Sequence, residues 1–462
     1  MMDLSEYKLW EVLMQIGIIF IAILIGNTLR RKIKFIRNSL LPSSVIAGII
    51  IFGLKFVPYV NEYINASLME ALTYHCLGLG FIALSLKTAV KNSNKAKHVV
   101  LDTGITTVNT YLIQAIIGIG LSVVLSLTLF KDLFYAAGIL LPMGFGQGTG
   151  QALNVGNILQ TFGFETGPSF GLAIAAIGFF VACIAGVVYL NILKKKGKLK
   201  IQEQRRLDNK LDTNIYAEDE APLSESVDKL TINLGFVVGA YIITYFIILG
   251  LSYLSVNFLG NFGTKTLKPL LWGFNFLFGS IVAIIVKAVI KLLKKKKIMT
   301  HTYINDFMMS RISGLFFDIM IVAGIAAIDW HNLKGLLWPL IIICIIGTIV
   351  TFFYLKFICK KIYPEYEYEA FFSMFGMLTG TASTGMILLR EIDPNFETPA
   401  ANNLVLQQVP AIAFGAPIML LVSFAADSLP NCLIFLGITI LMFIAYNMIT
   451  LRKIIFKRKK KN

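Results

Sequence analysis

The sequence predicts an all-α polytopic membrane protein: two inverted-topology repeats, each of five transmembrane helices and one re-entrant Gly-rich hairpin, plus an extra C-terminal helix. Three observations carry this. Of 462 residues, 56% are hydrophobic and 15% charged, against about 25% charged in soluble domains. Stretches 12–29, 103–130, 166–193, 230–264, 335–355, 398–426 and 428–451 hold no Asp, Glu, Lys or Arg, and about 18 such residues suffice to cross a bilayer as a helix. The 42 Lys+Arg against 26 Asp+Glu, a net +16, fall in short runs between those stretches. A nucleic-acid binder would instead spread its basic residues over a polar surface. The pattern therefore excludes a water-soluble enzyme, a secreted disulfide scaffold and a nucleic-acid-binding protein. The five cysteines (Cys76, Cys183, Cys344, Cys359, Cys432) lie in or beside apolar segments without CxxC spacing and read as small core residues. With Asp3, Glu6 and Glu11 around Lys8, the N-terminus lacks the basic start of a signal peptide.

Lys and Arg in short loops stay cytoplasmic, which orients each span in turn. Arg30, Arg31, Lys32, Lys34 and Arg37 follow the first span, so it runs from outside to inside. A second span, 39–57, returns outward and a third, 67–86, comes back to Lys87, Lys91, Lys95 and Lys97. A fourth, 99–130, exits to Lys131, and a fifth, 166–193, ends inside at Lys194, Lys195, Lys196, Lys198 and Lys200. The uncharged stretch 133–164 is long enough to cross, yet crossing would put that last basic run outside. It is therefore expected to enter and leave on one side, as a hairpin covered by protein or a wet cavity.

The second half repeats the argument. Spans at 231–256, 267–290, 303–328 and 337–358 place Lys291, Lys294–Lys297, Lys360 and Lys361 inside. Stretch 370–395, Gly/Ser/Thr-rich at its core, must be a second hairpin if the tail from Arg452 and Lys453 to 457–461 is to finish inside. All but six basic residues (Lys8, Lys55, Lys131, Lys265, Lys268, Lys334) then face the cytoplasm, and Trp10, Trp272, Trp330 and Trp338 fall near outer span ends. The expected organisation is an N-terminal repeat over 1–193, a charged cytoplasmic linker over 194–230, an inverted repeat over 231–427, and an extra span with basic tail over 428–462. The chain is expected in the cell membrane with its N-terminus outside and its C-terminus cytoplasmic.

Inverted repeats place substrate and ion sites near the midplane at the repeat interface. The G-x-x-x-G-T pattern of Gly144–Thr149 recurs as Gly376–Thr381, at the same slot of the other half. In the first hairpin, Gly146, Gly148 and Gly150 let backbone groups approach a ligand, while Gln147, Thr149, Gln151 and Asn154 add neutral donors and acceptors. The second offers Gly380, Thr381, Ser383, Thr384 and Gly385. A helix starting at such a tip aims its positive end at an anion, and the hydroxyls of Thr149, Thr381 and Ser383 are expected near Na⁺. The alternative is that these small residues only permit close helix packing.

The cores Gly146-Gln-Gly-Thr-Gly-Gln-Ala152 and Gly380-Thr-Ala-Ser-Thr-Gly385 resemble the paired Gly-rich motifs of the bacterial sodium/glutamate symporter family. Leu41-Pro-Ser-Ser-Val-Ile-Ala-Gly48 resembles that family's second-span motif, and Ala176-Ile-Gly178 and Val409-Pro410 sit where similar residues occur. The resemblance spans roughly residues 10 to 425. The chain has Gln147 where the first motif commonly carries His, and Ser383 where the second commonly carries Pro. The resemblance implies Na⁺-coupled symport of glutamate or a similar small anionic amino acid by alternating access, without an organic cofactor, in a homodimer.

Ionisable residues inside spans are functional candidates. Asp318, mid-span, is placed to bind an ion, and Gln407 and Gln408 flank a kink at Pro410 and would face the cavity. Arg311 is expected to snorkel to the interface, His75 to be a satisfied core residue, and Asp102 and Asp306 to be solvated at span ends. A Na⁺-coupled citrate- or malate-like carrier is the alternative within transport. An intramembrane enzyme is the alternative outside it, but no H-E-x-x-H occurs, and His75, Asp318 and Ser383 lie on separate elements.

Overall fold

Inside a bilayer the backbone has no partner but itself, so apolar charge-free runs fold as helices. In the computed structural model, which describes residues 7–38, 40–87, 94–199, 223–298, 303–393 and 398–452, every regular element is helical. The first half comprises α1 (Tyr7–Lys32), α2 (Ser43–Leu54), α3 (Ala66–Leu86), α4 (Asn94–Leu127), α5 (Leu140–Gln147), α6 (Thr149–Thr161) and α7 (Gly167–Lys195). The second half comprises α8 (Leu223–Phe262), α9 (Asn275–Lys295), α10 (Asp306–Ala327), α11 (Leu337–Ile362), α12 (Glu367–Thr379), α13 (Ala382–Arg390), α14 (Ala400–Leu406), α15 (Gln408–Leu420) and α16 (Val422–Asp427). The last helix, α17, covers Leu429–Thr450. Among the described residues, ten helical segments are long and apolar enough to cross a membrane. Most of the 194–230 linker and the basic tail beyond Arg452 lie outside the described residues.

One span differs from expectation, and another is kinked as expected. The second span, read as 39–57, is only the 12-residue α2, about 18 Å at 1.5 Å per residue. Pro42 stands at its N-cap in an extended conformation (ψ 146°). Past Lys55 the chain turns into a short helix that begins at Pro58, and the extended Val57 before that proline breaks continuity. Neighbours make up for the missing length. Lys55 Nζ donates to the carbonyls of Ala326 (3.1 Å) and Ile328 (2.8 Å), closing the end of α10. The span at 398–426 is three helices, α14, α15 and α16, with its first break at Gln407. Pro410 explains that break: it has no N–H to return to the preceding turn.

The helices sort into two groups. In one, α3 packs along α10, and α8 and α9 join them through Ile82, Val237, Val282 and Met309; α1 and α2 lie against this pair. In the other, α4 is central, packed by α11, α15 and α17, while α7 runs between the pairs α5/α6 and α12/α13. The groups meet where α6 lies against α3 and α10.

Contacts between helix ends define two faces. On one, Lys287 Nζ from α9 donates to the carbonyls of Ser85 and Lys87 after α3, and Thr103 meets Tyr363 at 2.8 Å. On the other, Asn65 donates to Glu11 (2.7 Å), the Asp329 amide to Ser169 Oγ (3.1 Å), and Tyr135 to the Ala426 carbonyl (2.6 Å). Helices α7, α9 and α11 all carry lysines in their last turns. Asp102 is not solvated. It is buried and pairs with Arg452 at 2.8 Å, fastening the end of α17 to α4.

Candidate functional site

The segments at 133–164 and 370–395 each fold as two short helices that turn back. Helix α7 shows this for the first. Gly167 and Gly171 pack against Gly156 and Ala152 of α6, whereas Ile174 and Gly178 pack against Gly144 and Phe145 of α5. Helix α6 therefore runs antiparallel to α7 and α5 parallel to it, so the chain reverses between them. The reversal is at Gly148, whose φ of +81° is a left-handed conformation that L side chains avoid. In the second, Gly376 and Gly385 face each other so closely that a Cβ on Gly376 would sit 2.7 Å from the Gly385 Cα. The arms α12 and α13 are thus antiparallel, with the break at Gly380–Thr381.

Both turns reach the same depth. A Cβ on Gly148 would lie 3.9 Å from Thr381 Cγ2 and 4.0 Å from the Gly380 carbonyl oxygen. A Cβ on Gly178 would strike the Thr379 carbonyl oxygen. Gly178 is near the middle of the 29-residue α7, so the two turns meet roughly halfway through the bundle.

A cavity of about 190 Å³ opens beside this meeting point. Of the residues singled out in the sequence, Gly146, Gln147, Gly380, Thr381, Asp318, Gln407 and Gln408 line it. Phe81, Phe276 and Phe317 form an apolar wall, and Asp318 is, among the described residues, the only lining one with an acidic or basic side chain. Gln407 is buried; its Nε2 lies 3.2 Å from Met377 Sδ, and its Oε1 has no partner among the described residues. Helices α6 and α13 begin at the two turns, so their unsatisfied first N–H groups gather there. At α13 the Thr381 hydroxyl accepts from the Thr384 amide at 3.3 Å. At α6 the N-cap is Gly148, with no side-chain cap. The arrangement offers positive helix ends on one side and a single carboxylate on another.

The remaining described candidates lie outside the cavity lining. Thr149 is buried, packs on Gly324 of α10, and donates to the Met320 carbonyl at 3.3 Å. Gly150 is wedged against Leu77 and Met320. Asn154 donates to the Gly273 carbonyl at 2.6 Å, while the buried Gln151 amide finds no partner among the described residues. Thr384 meets Thr381 at 3.2 Å, and Gly385 packs against Ser373. The side chain of Ser383 lies outside the described residues. Arg311 is exposed and stacks 5.0 Å over Phe307. His75 bonds Tyr241 at 2.8 Å, away from the cavity.

Sequence reasoning missed one residue. Tyr111 lines the cavity and donates to the Gly146 carbonyl at 3.2 Å. Gln114 Nε2 donates to Thr351 Oγ1 (3.0 Å) and to the Leu378 carbonyl (2.9 Å), holding the second turn. The only trace of Tyr111 was the run of uncharged polar residues Thr106, Thr107, Asn109 and Thr110 just before it in an otherwise apolar span, whereas Gln114 already reads from the sequence as an inter-helix hydrogen-bonding residue, as these bonds bear out.

A Gly-x-Ser-x-Gly run does occur, at 167–171. Its serine opens a membrane helix and accepts the Asp329 amide, whereas a hydrolase nucleophile of that motif stands on a sharp turn between strand and helix.

Comparison with curated proteins gives no match. Comparison with family models matches residues 9–396 to the sodium/glutamate symporter. The paired turns, the cavity between them and this match over most of the length agree: the chain belongs to the sodium/glutamate symporter family, and it is a multi-pass membrane transporter rather than an enzyme.

Proposed function

We propose that this chain carries glutamate, or a closely similar anionic amino acid, together with Na⁺ through the cavity between the two hairpin turns, by alternating access. The observation that carries the reading is Asp318, among the described residues the only acidic or basic side chain on a cavity wall that also receives the N-terminus of α13, with that of α6 beside it at Gly148. Substrate carboxylates are stabilised by the helix ends, and the ammonium group or the coupled ion by Asp318. A citrate- or malate-like acid has no ammonium group to offer that carboxylate, which favours the amino acid over that alternative.

The pairing of like slots supports an inverted repeat with the site at its centre: α3 packs with α10, α4 with α11, and the first hairpin with the second. In alternating access, the group holding both hairpins slides along α3 and α10. The ion set shifts from the expectation. Thr381 reaches the cavity, whereas the Thr149 hydroxyl is committed to Met320, so Thr381 and Asp318 are the ion's expected side-chain neighbours. The lysine-bearing face is the cytoplasmic one by the positive-inside rule.

Uptake into proteoliposomes tests this. An inward Na⁺ gradient should drive labelled glutamate above its external concentration, and excess unlabelled glutamate should compete better than malate or citrate. Asp318→Asn should cut uptake at least about tenfold, the equivalent of about 1.4 kcal/mol in coupling at the site. Malate competing better than glutamate would replace the substrate assignment, and wild-type uptake by Asp318→Asn would remove that residue from the site.

A further inference from the structure

A second cavity, of about 160 Å³, lies at the lysine-bearing face, where α7, α11 and the first turn of α12 come together. Lys196, Lys198, Lys356 and Lys360 line it, with Glu367 as the one carboxylate among the described residues. None of these lysines is within ion-pairing distance of a carboxylate among the described residues. Lys356 Nζ instead sits over aromatic rings, 5.3 Å from Tyr189 and 5.9 Å from Phe352. Four positive charges against one negative, gathered round a concave space, leave an unmet requirement for an anion.

The surroundings identify its kind. On α7, Ile184, Val188 and Ile192 are exposed and recur every four residues, forming one stripe whose next member is Lys196. On α11, Ile349, Phe353 and Phe357 form a second exposed stripe at the same spacing, ending beside Lys360. Two apolar tracks thus run along a lipid-facing surface into one basic pocket. A free phosphate would use the lysines alone; a molecule with an anionic head and two acyl chains uses all three features. We propose that this pocket binds the phosphate headgroup of an anionic phospholipid, with its acyl chains along the two stripes.

Its position gives the lipid a mechanical role. Phe371 of α12 also lines the pocket, and α12 is the first arm of the second hairpin. A headgroup seated there bridges the base of that arm to α7 and α11. Binding itself does not depend on the transport reading; only this consequence for uptake does.

The test uses the full chain in nanodiscs of phosphatidylcholine, alone or with phosphatidylglycerol, and native mass spectrometry of lipids retained. Phosphatidylglycerol should be retained at least fivefold over phosphatidylcholine and should raise the melting temperature. The variant Lys196→Gln/Lys198→Gln/Lys356→Gln/Lys360→Gln should lose that preference, while Lys295→Gln/Lys296→Gln on α9 keeps it. If the fourfold variant does not fold, Lys356→Gln/Lys360→Gln carries the comparison. Equal retention of the two lipids, or an undiminished preference in the pocket variant, would overturn the proposal. So would an equal stabilisation by water-soluble glycerophosphate, which would make the pocket a phosphate site instead.

Discussion

The two hairpins share a G-x-x-x-G-T core, yet their turns are held by different means. The first is held from outside: Tyr111 binds the Gly146 carbonyl, Thr149 rests on Gly324 and Gly150 on Leu77 and Met320. Two of those contacts reach across to α3 and α10, the other group of helices. The second is held within its own group. Thr381 caps α13, Gln114 holds the Leu378 carbonyl, and Gly178 receives the Thr379 carbonyl. Its base is also pinned, since Asn403 donates to the Tyr366 hydroxyl at 3.1 Å, and burial pushes that phenol up to about 12, so it stays neutral. The same motif therefore does two jobs: one tip rests on the opposite group, the other presents its hydroxyl to the cavity.

The largest effect that would break this comparison is expected at Gly178. Its hydrogen faces a backbone carbonyl that cannot rotate away, so Gly178→Val must push α12 off α7. Overpacking of this kind costs about 1–3 kcal/mol or more. Glutamate uptake should be lost and the detergent melting temperature should fall; near-normal values for both would mean that the second turn is not seated on α7.

Next comes the contact with the opposite group. A Cβ at Gly324 would lie 2.6 Å from the Thr149 Cβ, so Gly324→Ala should slow uptake severalfold. Replacing Thr149 with Gly in the same chain removes the opposing atom, and the double variant should recover part of the loss. In a double-mutant cycle the coupling should reach about 0.5–3 kcal/mol; strict additivity would show that the two residues do not meet during transport.

The smallest effects separate the two threonines. Thr381→Val removes an N-cap, worth about 1 kcal/mol, and also a cavity hydroxyl, so the KM for Na⁺ should rise. Thr149→Val keeps the shape and loses one 3.3 Å bond to Met320, so stability should drop by about 1 kcal/mol with the KM unchanged. A raised KM in Thr149→Val alone would exchange the roles given to the two hairpins.

The apolar helices and the two segments that turn back were legible because hydropathy and charge are local counts, and a bilayer makes each count binding. One predicted span was misjudged for the same reason. A count over 39–57 does not see that Pro42 and Pro58 cut the helix to 12 residues, nor that Lys55 borrows the end of α10 to finish it. About half of the candidate site residues line the cavity. Those that do not, such as Thr149 and Asn154, carry the same uncharged polar chemistry as those that do, so composition could not separate them.

The sequence by itself determined where the chain crosses the membrane, where it turns back, and which short stretches are polar enough to hold a solute. Only the tertiary structure decided which polar atoms face the cavity. Gln147 and Thr149 are two residues apart, yet the left-handed Gly148 between them sends one to the cavity and the other to Gly324. Asp102 looked like a solvated charge until Arg452, 350 positions away, closed on it. In both cases the deciding term is a contact between distant elements, which no local pattern of residues encodes.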